Sequence, residues 1–249
     1  MISIVIPTLN EADQLAATLA AIGDPLPRAA CEVIVVDAGS SDGTAALAKA
    51  AGTRVVTSPG PGRAAQMNLG AQQASGDQLL FLHADTRLPE GALARIDAAL
   101  RDPAIVGGGF ARRFAGASRF LRLTAWLADW RCRSLGWFLG DQAIFARRSV
   151  FEQLKGYREI DLFEDLDFSR RMARTGKVVT LSPPVISSAR RFAARGPLVT
   201  TAADLWLTCQ FLAGADPQEL AARRRPGPAA QSKGFSLAAG GRSSYRLRR

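Results

Sequence analysis

Glu32-Val33-Ile34-Val35-Val36-Asp37-Ala38-Gly39-Ser40-Ser41-Asp42-Gly43-Thr44 is an apolar run that breaks at an acid into a polar, glycine-containing segment. Four successive branched aliphatics leave no alternation of apolar and polar positions, which marks a short strand buried on both faces. The run stops at an acid, and Asp42-Gly43-Thr44 then supplies turn and helix-start chemistry. The same pattern recurs on either side. Candidate strands fall at 2–6, 32–36, 54–57 and 78–82, separated by Ala-rich helical segments at 11–22, 43–51 and 63–74. The order β-α-β-α-β-α-β predicts right-handed crossovers and an α/β fold, a mostly parallel doubly wound sheet with helices on both faces.

Ligands bind such sheets beyond the carboxyl ends of the strands, so the residues delivered there carry the functional reading. Strand one ends in Pro7-Thr8-Leu9-Asn10-Glu11, and strand two in the Asp37–Thr44 loop. Strand three opens into Ser58-Pro59-Gly60-Pro61-Gly62-Arg63, and strand four ends in His83-Ala84-Asp85-Thr86. Polar residues thus gather on one edge, the pattern of a nucleotide or phosphate cleft. The second half is less regular. A strand at 104–110 contains Gly107-Gly108-Gly109 and needs close backbone approach. A helix at 117–135 carries Phe120, Leu121, Leu123, Trp126, Leu127 and Trp130 among arginines. A strand at 142–146, a helix at 163–175 and a last helix at 198–212 complete the reading.

The chain has 249 residues, 47% hydrophobic and 22% charged, and a net charge of +10. That composition suits one well-cored domain with an appendage. Eight basic residues and no acid lie in 223–249, leaving +2 for residues 1–222. The basic character therefore belongs mainly to a Gly-, Pro-, Ala- and Ser-rich tail, expected to be disordered. Such a tail is either a solvated segment or an electrostatic foothold on anionic lipid. Nucleic acid is disfavoured, because Phe235 and Tyr245 are the tail's only aromatic residues for base stacking. Cys31, Cys132 and Cys209 form neither a disulfide framework nor a zinc spacing, which fits a reducing cytosol. The N-terminus lacks a signal peptide's charged region and cleavage site, and no apolar run is long enough to span a membrane. The expected location is the cytoplasm, with peripheral contact at the inner face of the cell membrane as an extension of that reading.

Several acids stand where chemistry needs them. Asp37 follows a buried strand and can accept hydrogen bonds from a base or ribose, with turn duty as the competing reading; Asp42 reads as a turn residue. Asp85 closes the fourth strand. A hard divalent cation takes oxygen ligands, often one carboxylate plus diphosphate oxygens, so a single aspartate there suffices when substrate supplies the rest. His83, the sole histidine, reads as a metal ligand, a diphosphate donor or a packed strand-end residue. No Gly-x-Ser-x-Gly elbow accompanies it, which argues against a hydrolase triad. Glu164-Asp165-Leu166-Asp167 opens a helix, where acids complement the dipole and where a rigidly held acid can act as general base. Gly140-Asp141-Gln142 is a further polar cluster. Gly60-Pro61-Gly62-Arg63-Ala64-Ala65 mimics a dinucleotide fingerprint, but it follows the third strand and Pro61 removes a needed donor. Arg63 still reads as a diphosphate-facing cation at a helix N-terminus.

Taken together, these pieces resemble glycosyltransferase family 2, inverting enzymes of the GT-A fold, from about residue 2 to 180. Ile4-Val5-Ile6-Pro7-Thr8-Leu9-Asn10-Glu11 is similar to the family's first strand and nucleotide loop, and Val35 through Thr44 to its second. Gly62-Arg63-Ala64-Ala65-Gln66-Met67-Asn68-Leu69-Gly70 is similar to its third helix start. Leu82-His83-Ala84-Asp85 stands at the Asp-x-Asp metal motif, and Glu164-Asp165 at the catalytic-base motif. The first motif acid is replaced by His83, leaving Asp85 as the carboxylate ligand. The wording Phe-Leu-His-Ala-Asp-Thr, Gly-Asp-Gln and Glu-Asp-Leu-Asp-Phe-Ser also resembles a small bacterial branch linked to arsenosugar biosynthesis.

The resemblance implies a GT-A domain over 1–222, with a nucleotide-binding half at 1–100 and an acceptor half at 101–222. It implies a UDP- or GDP-sugar donor held by Pro7, Thr8, Asn10, Glu11, Asp37, Arg63, Asn68, Ala84 and Asp85. It implies Mg²⁺ or Mn²⁺ on Asp85, with His83 as an additional ligand candidate. A small-molecule or lipid acceptor would meet Gly140, Asp141 and Gln142, with Asp165 as base beside Glu164. Two other classes fit parts of the pattern. One is a sugar-nucleotidyltransferase, which would be expected to carry a Gly-rich basic loop after strand one. The other is a non-catalytic nucleotide-sugar-binding or membrane-peripheral protein.

Overall fold

A computed structural model of the chain describes residues 1–23, 31–116 and 118–224. The four expected N-terminal strands form as β1 (Ile2–Thr8), β2 (Cys31–Asp37), β3 (Arg54–Thr57) and β4 (Gln78–Phe81). They are joined through α1 (Ala12–Ile22), α2 (Thr44–Ala50) and α3 (Arg63–Gln73). All three strand pairings among them are parallel: β1 with β2 and with β4, and β2 with β3. Side-chain parity explains why their sequences are unbroken apolar runs. Ile4, Ile6, Val33, Val35, Leu80 and Leu82 enter one core, with α1 packed on it. Val5, Ile34, Val36, Leu79 and Phe81 enter another on the opposite face, with α3 packed there. Successive residues point to opposite faces, and both faces are covered.

Beyond β4 the chain adds β5 (Thr86–Arg87), α4 (Ala92–Leu100), β6 (Ile105–Phe114), α5 (Arg119–Leu135), a 3-10 turn (Gly140–Gln142), β7 (Ile144–Arg147) and α6 (Arg148–Gln153). It continues with α7 (Glu164–Met172), β8 (Lys177–Ser187), α8 (Arg190–Arg195), α9 (Pro197–Leu212) and α10 (Pro217–Arg224). The sheet has eight strands in the order β3-β2-β1-β4-β7-β6-β8-β5. The pairings β4–β7, β6–β7 and β5–β8 are antiparallel, while β6–β8 is parallel. The fold is therefore α/β with a mixed, mostly parallel sheet.

The second half adds a strand and a helix end that the sequence pattern does not give. Residues 177–187 form an eleven-residue strand that the sequence pattern does not announce. Pro183 and Pro184 lie within it, and proline ordinarily demotes a run from central-strand status. The boundary expected after residue 222 falls inside α10, whose Leu220 and Ala221 are buried, so Arg223 and Arg224 belong to the folded unit. Residues 225–249, the rest of the expected tail, lie outside the described residues, as does residue 117 at the start of the helix expected from there.

The glycine run of β6 sits where close approach was expected. A Cβ on Gly108 would collide with the carbonyl oxygen of Val179, one on Gly107 with that of Phe145, and one on Gly109 with the ring of Phe138. Backbone cannot yield as a flexible side chain does. Gly108→Ala should therefore destabilise the fold by about 1–3 kcal/mol, the range for overpacked cores. Urea unfolding of the purified chain measures this, and an unchanged midpoint would show that β6 and β8 have room to part.

Candidate functional site

The ends of β1 and β2 are bolted together before any ligand is considered. The Gln66 side-chain amide donates to the carbonyl oxygens of Thr8 at 2.9 Å and Val36 at 2.7 Å. Asp37 is 5% exposed and accepts four hydrogen bonds. They come from Thr8 Oγ1 at 2.9 Å, Gly39 N at 3.1 Å, Ser40 N at 2.9 Å and Ser40 Oγ at 2.5 Å. Burial alone would raise its carboxyl, but these donors outweigh it and hold the group below the usual carboxylate range. Asp37 therefore does the turn duty that competed with ligand contact in the sequence. Asn10 and Asp42 complete the lock: Asn10 Oδ1 accepts from Ser41 N at 2.9 Å, and Asp42 Oδ2 from Ala12 N at 3.0 Å. The turn role expected of Asp42 is what the structure has.

The turn after β4 carries His83, Ala84 and Asp85. Thr86 N donates to His83 O at 3.1 Å, and Ser188 N donates to Asp85 O at 3.2 Å. The second bond brings the start of α8 to Asp85. Arg190, in the first turn of α8, then reaches Asp85 Oδ2 at 3.4 Å and Glu11 Oε2 at 2.9 Å. One guanidinium thus bridges the β1 loop and the β4 turn, and these carboxylates hold it above its ordinary range. Nothing local marks Arg190; its partners are 179 and 105 residues away. Ala84 is buried, and its carbonyl accepts from Thr18 Oγ1 at 2.7 Å. Pro7 is buried within β1.

His83 faces the second half of the chain. A Cβ on Gly140 would strike the His83 ring, and would lie 3.3 Å from Asp165 Oδ2. Gly140 N donates to Asp165 Oδ2 at 2.5 Å. His83 Nε2 is buried without a hydrogen-bond partner among the described residues. Desolvation and the Arg63 charge hold the imidazole below its ordinary range. Of the sequence readings for His83, the packed strand-end residue describes its surroundings.

The acids that open α7 differ in environment. Phe163, at φ 66°, adopts the left-handed conformation just before the helix. Asp165 is partly exposed, whereas Glu164 is 4% exposed. Arg63 lies 3.8 Å from Glu164 Oε1, so the cation expected to face a diphosphate stands over this acid. Burial, reinforced by the neighbouring Asp165 charge and opposed by Arg63, pushes the Glu164 carboxyl up to about 7.

Three expected contacts turn inward instead. Gln142 is fully buried; its amide donates to Phe110 O at 3.2 Å and its oxygen accepts from Arg131 at 2.9 Å and Leu139 N at 3.1 Å. Asp141 is ion-paired with Arg112, which holds its carboxyl low against the opposing effect of burial. Asn68 exchanges bonds of 2.9 Å with the backbone oxygen and nitrogen of Tyr157. Burial makes Gln142 a scaffold residue rather than an acceptor contact. A resident metal centre would need several ligands, and no cluster of three or more His, Cys, Asp or Glu side chains occurs among the described residues. One part-exposed aspartate beside Glu11 fits a cation that substrate oxygens complete.

Strands that deliver acids to one edge, over loops already hydrogen-bonded into shape, define the GT-A class of α/β fold. Mannosyltransferase PcManGT from Pyrobaculum calidifontis, solved with GDP-Man and Mn²⁺, superposes with a TM-score of 0.61 at 23% identity, over 75% of this chain and 56% of that one. Residues 1–349 of S. aureus TarS, solved with UDP, superpose with a TM-score of 0.63 at 15% identity, over 75% and 60%. These likenesses establish the fold. The model of glycosyl transferase family 2 matches residues 3–155, and the chain belongs to that family.

An uncharacterised glycosyltransferase of Mycobacterium tuberculosis (strain ATCC 25618 / H37Rv) is 32% identical over 135 residues, 53% of this chain and 60% of the relative. Glycosyltransferase AglE of Haloferax volcanii is 35% identical over 91 residues, 34% of this chain and 30% of AglE. The chain thus spans less than two thirds of the relatives it matches. These matches support family 2 and do not extend to the arsenosugar-linked branch.

The buried acid generates a pH prediction. Native Glu164 keeps its proton from the ordinary 4.5 up to about 7, where an unfolded glutamate has released it. Its contribution to stability is therefore present at low pH, falls as pH rises through that window, and is flat above it. Glu164→Gln should remove the fall. Relative to the parent chain, the variant should gain up to about 3 kcal/mol between pH 4.5 and 8. Urea titrations across that range test this, and parallel stability profiles would sink it.

Proposed function

We propose that this chain transfers a sugar from a nucleotide-diphosphate donor to an acceptor hydroxyl, with inversion at the anomeric carbon. The observation that carries the reading is the meeting of the Asp85 turn with the Glu164–Asp165 pair, joined through His83 and Gly140. A donor-side carboxylate and a candidate base thereby share one cleft edge. The Thr8–Glu11 and Asp37–Thr44 loops form the nucleoside side, rigid through their own hydrogen bonds. Asp85, with Glu11 beside it, would hold a divalent cation brought with the diphosphate, which supplies Lewis-acid stabilisation of charge. GDP-Man in PcManGT and UDP-GlcNAc in TarS are the donor types on which the UDP- or GDP-sugar proposal rests.

Asp165, the more exposed of the pair, takes the acceptor hydroxyl's proton as the new bond from that oxygen to the anomeric carbon forms. The bond from that carbon to the diphosphate oxygen breaks on the opposite side, and its electron pair leaves with the diphosphate. Arg190 and Arg63 are the cations placed to meet the charge that develops there. Glu164, raised to about 7, sits behind Asp165 and sets its electrostatic surroundings.

Peripheral membrane contact on the cytoplasmic side belongs to the same reading. No described helix is long and apolar enough to cross a membrane. The outward stripe of α5 nevertheless exposes Leu123, Trp126, Leu127 and Trp130. Its buried face holds Leu121, Ala125, Ala128 and Cys132, so most of the helix's bulky apolar area points away from the core. Arg119, Arg122 and Arg133 are also exposed along the helix, a composition suited to an anionic interface. Trp137, just beyond the helix, does not join this stripe: it is half-buried beneath the Arg170 guanidinium, 4.9 Å from the ring centroid.

Metal-dependent donor turnover on a nucleotide-sugar panel tests the transfer reading. Asp165→Asn should lower turnover about 10²–10⁴-fold, the range for loss of a general base. Asp85→Ala should lower it about 10²-fold or more, as loss of leaving-group stabilisation does. Both variants keeping full turnover while folded would rule the assignment out. For the membrane contact, flotation should recover the chain with anionic vesicles and not with zwitterionic ones. Trp126→Asp with Trp130→Asp should abolish recovery; undiminished flotation of that double variant would assign the contact elsewhere.

A further inference from the structure

Arg190 lies across the two carboxylates that face the donor edge, Glu11 Oε2 at 2.9 Å and Asp85 Oδ2 at 3.4 Å. Both acids hang from fixed backbone. Glu11 N donates to Thr44 Oγ1 at 2.9 Å, and Asp85 O accepts from Ser188 N at 3.2 Å. The start of α8 is fastened as well, by other side chains. The Phe192 ring packs edge-on against Phe114 with centroids 4.8 Å apart, and Arg191 pairs with Asp204 at 2.8 Å. Arg190 N donates to Ser188 Oγ at 3.3 Å, so its backbone is held while its side chain is half exposed. A long side chain on a fixed backbone can change partners without moving the helix.

Both contacts of Arg190 run through Nη2. The guanidinium therefore presents its two-nitrogen fork squarely to neither acid, although that fork is what binds a carboxylate or phosphate best. The same two carboxylates are where the transfer reading places a divalent cation. Metal and guanidinium compete for those oxygens, and like charges a few ångström apart repel strongly outside bulk water. An ion arriving by itself must turn Arg190 out into solvent. A diphosphate changes that balance, because it offers the displaced fork several anionic oxygens while the ion takes over the carboxylates. Every charge then keeps a partner throughout the exchange.

We infer that Arg190 guards the cation site: it holds Asp85 and Glu11 against a free divalent ion and crosses to the donor diphosphate when ion and diphosphate arrive together. The inference rests on the transfer reading and adds to it an order of binding. Free metal is then a poor ligand, and metal and nucleoside diphosphate each raise the other's affinity by the same factor.

Mn²⁺ titration of the full chain, read from the paramagnetic resonance signal of the free ion, tests this with and without UDP or GDP. In the parent the diphosphate should tighten Mn²⁺ by about tenfold or more, within the usual range of coupling between sites. Arg190→Gln should tighten Mn²⁺ alone by about as much, at an unchanged unfolding midpoint, and the diphosphate's enhancement should shrink accordingly. Arg190→Lys keeps the charge and should bind the free ion as weakly as the parent. Adding Asp85→Asn to Arg190→Gln should cancel the gain. Equal Mn²⁺ affinity in the parent and Arg190→Gln overturns the inference, as does a gain that survives Asp85→Asn or appears equally in Arg190→Lys. Binding of UDP- and GDP-sugars to the parent with Mn²⁺ is measured in parallel. Donor binding with no effect of Arg190→Gln on the free ion defeats this inference alone. Tighter Mn²⁺ in that variant without any donor binding defeats the transfer reading, and the order of binding with it.

Discussion

One backbone hydrogen bond fixes the acid side of the site, Gly140 N–H to the Asp165 carboxylate, and it is made where Gly140 packs on the His83 ring from the first half of the chain. It needs a residue without a Cβ at 140, an imidazole at the end of β4, and an acid one residue into α7. Those requirements come from three separated parts of the chain, so the fold must be complete before the contact exists. A charge-assisted bond to an amide also fixes where the carboxylate stands, whatever else enters the cleft. The β4 turn, the turn before β7 and the start of α7 are consequently positioned as one unit.

The two sides of the cleft achieve order differently. Around β1 and β2, the side chains of Asp37, Asn10, Asp42 and Gln66 bond to backbone and hydroxyl groups of the two loops, so the loop shape is settled at folding. A ligand meeting that side gives up little conformational freedom in the protein. The contacts across the cleft are made by side chains, Arg63 over Glu164 and Arg190 to Glu11 and Asp85. Both arginines are at least half exposed, and exposed pairs are individually weak. An incoming anion can rearrange them at modest cost.

What the sequence disclosed follows from this division. The four N-terminal strands were legible because each is buried on both faces, which leaves unbroken aliphatic runs such as Val33 to Val36. The placement of Asp85 in the turn after β4, and of Glu164 and Asp165 at the start of α7, was legible because each stands beside an element end in a recognisable phrase. Strand β8 was not, since its prolines and mixed burial resemble a loop. Arg190 was hidden for another reason: its role exists only through the Ser188–Asp85 backbone bond, which no local pattern encodes. Gln142 and Asn68 had polar side chains in the expected neighbourhood, yet sequence cannot say which way a side chain turns. Both turned toward backbone groups that needed partners.

The small core of Leu162, Leu207, Leu220 and Ala221 stands apart from the two that sandwich the sheet. With so few apolar residues to lose, the α9–α10 hairpin is expected at the low end of local stability. Its packing reaches Phe163, whose left-handed backbone sets the direction of α7. Fraying of the hairpin therefore loosens the anchor of Glu164 and Asp165 but leaves the nucleoside loops in place. Whatever fastens that hairpin would therefore also steady the acids.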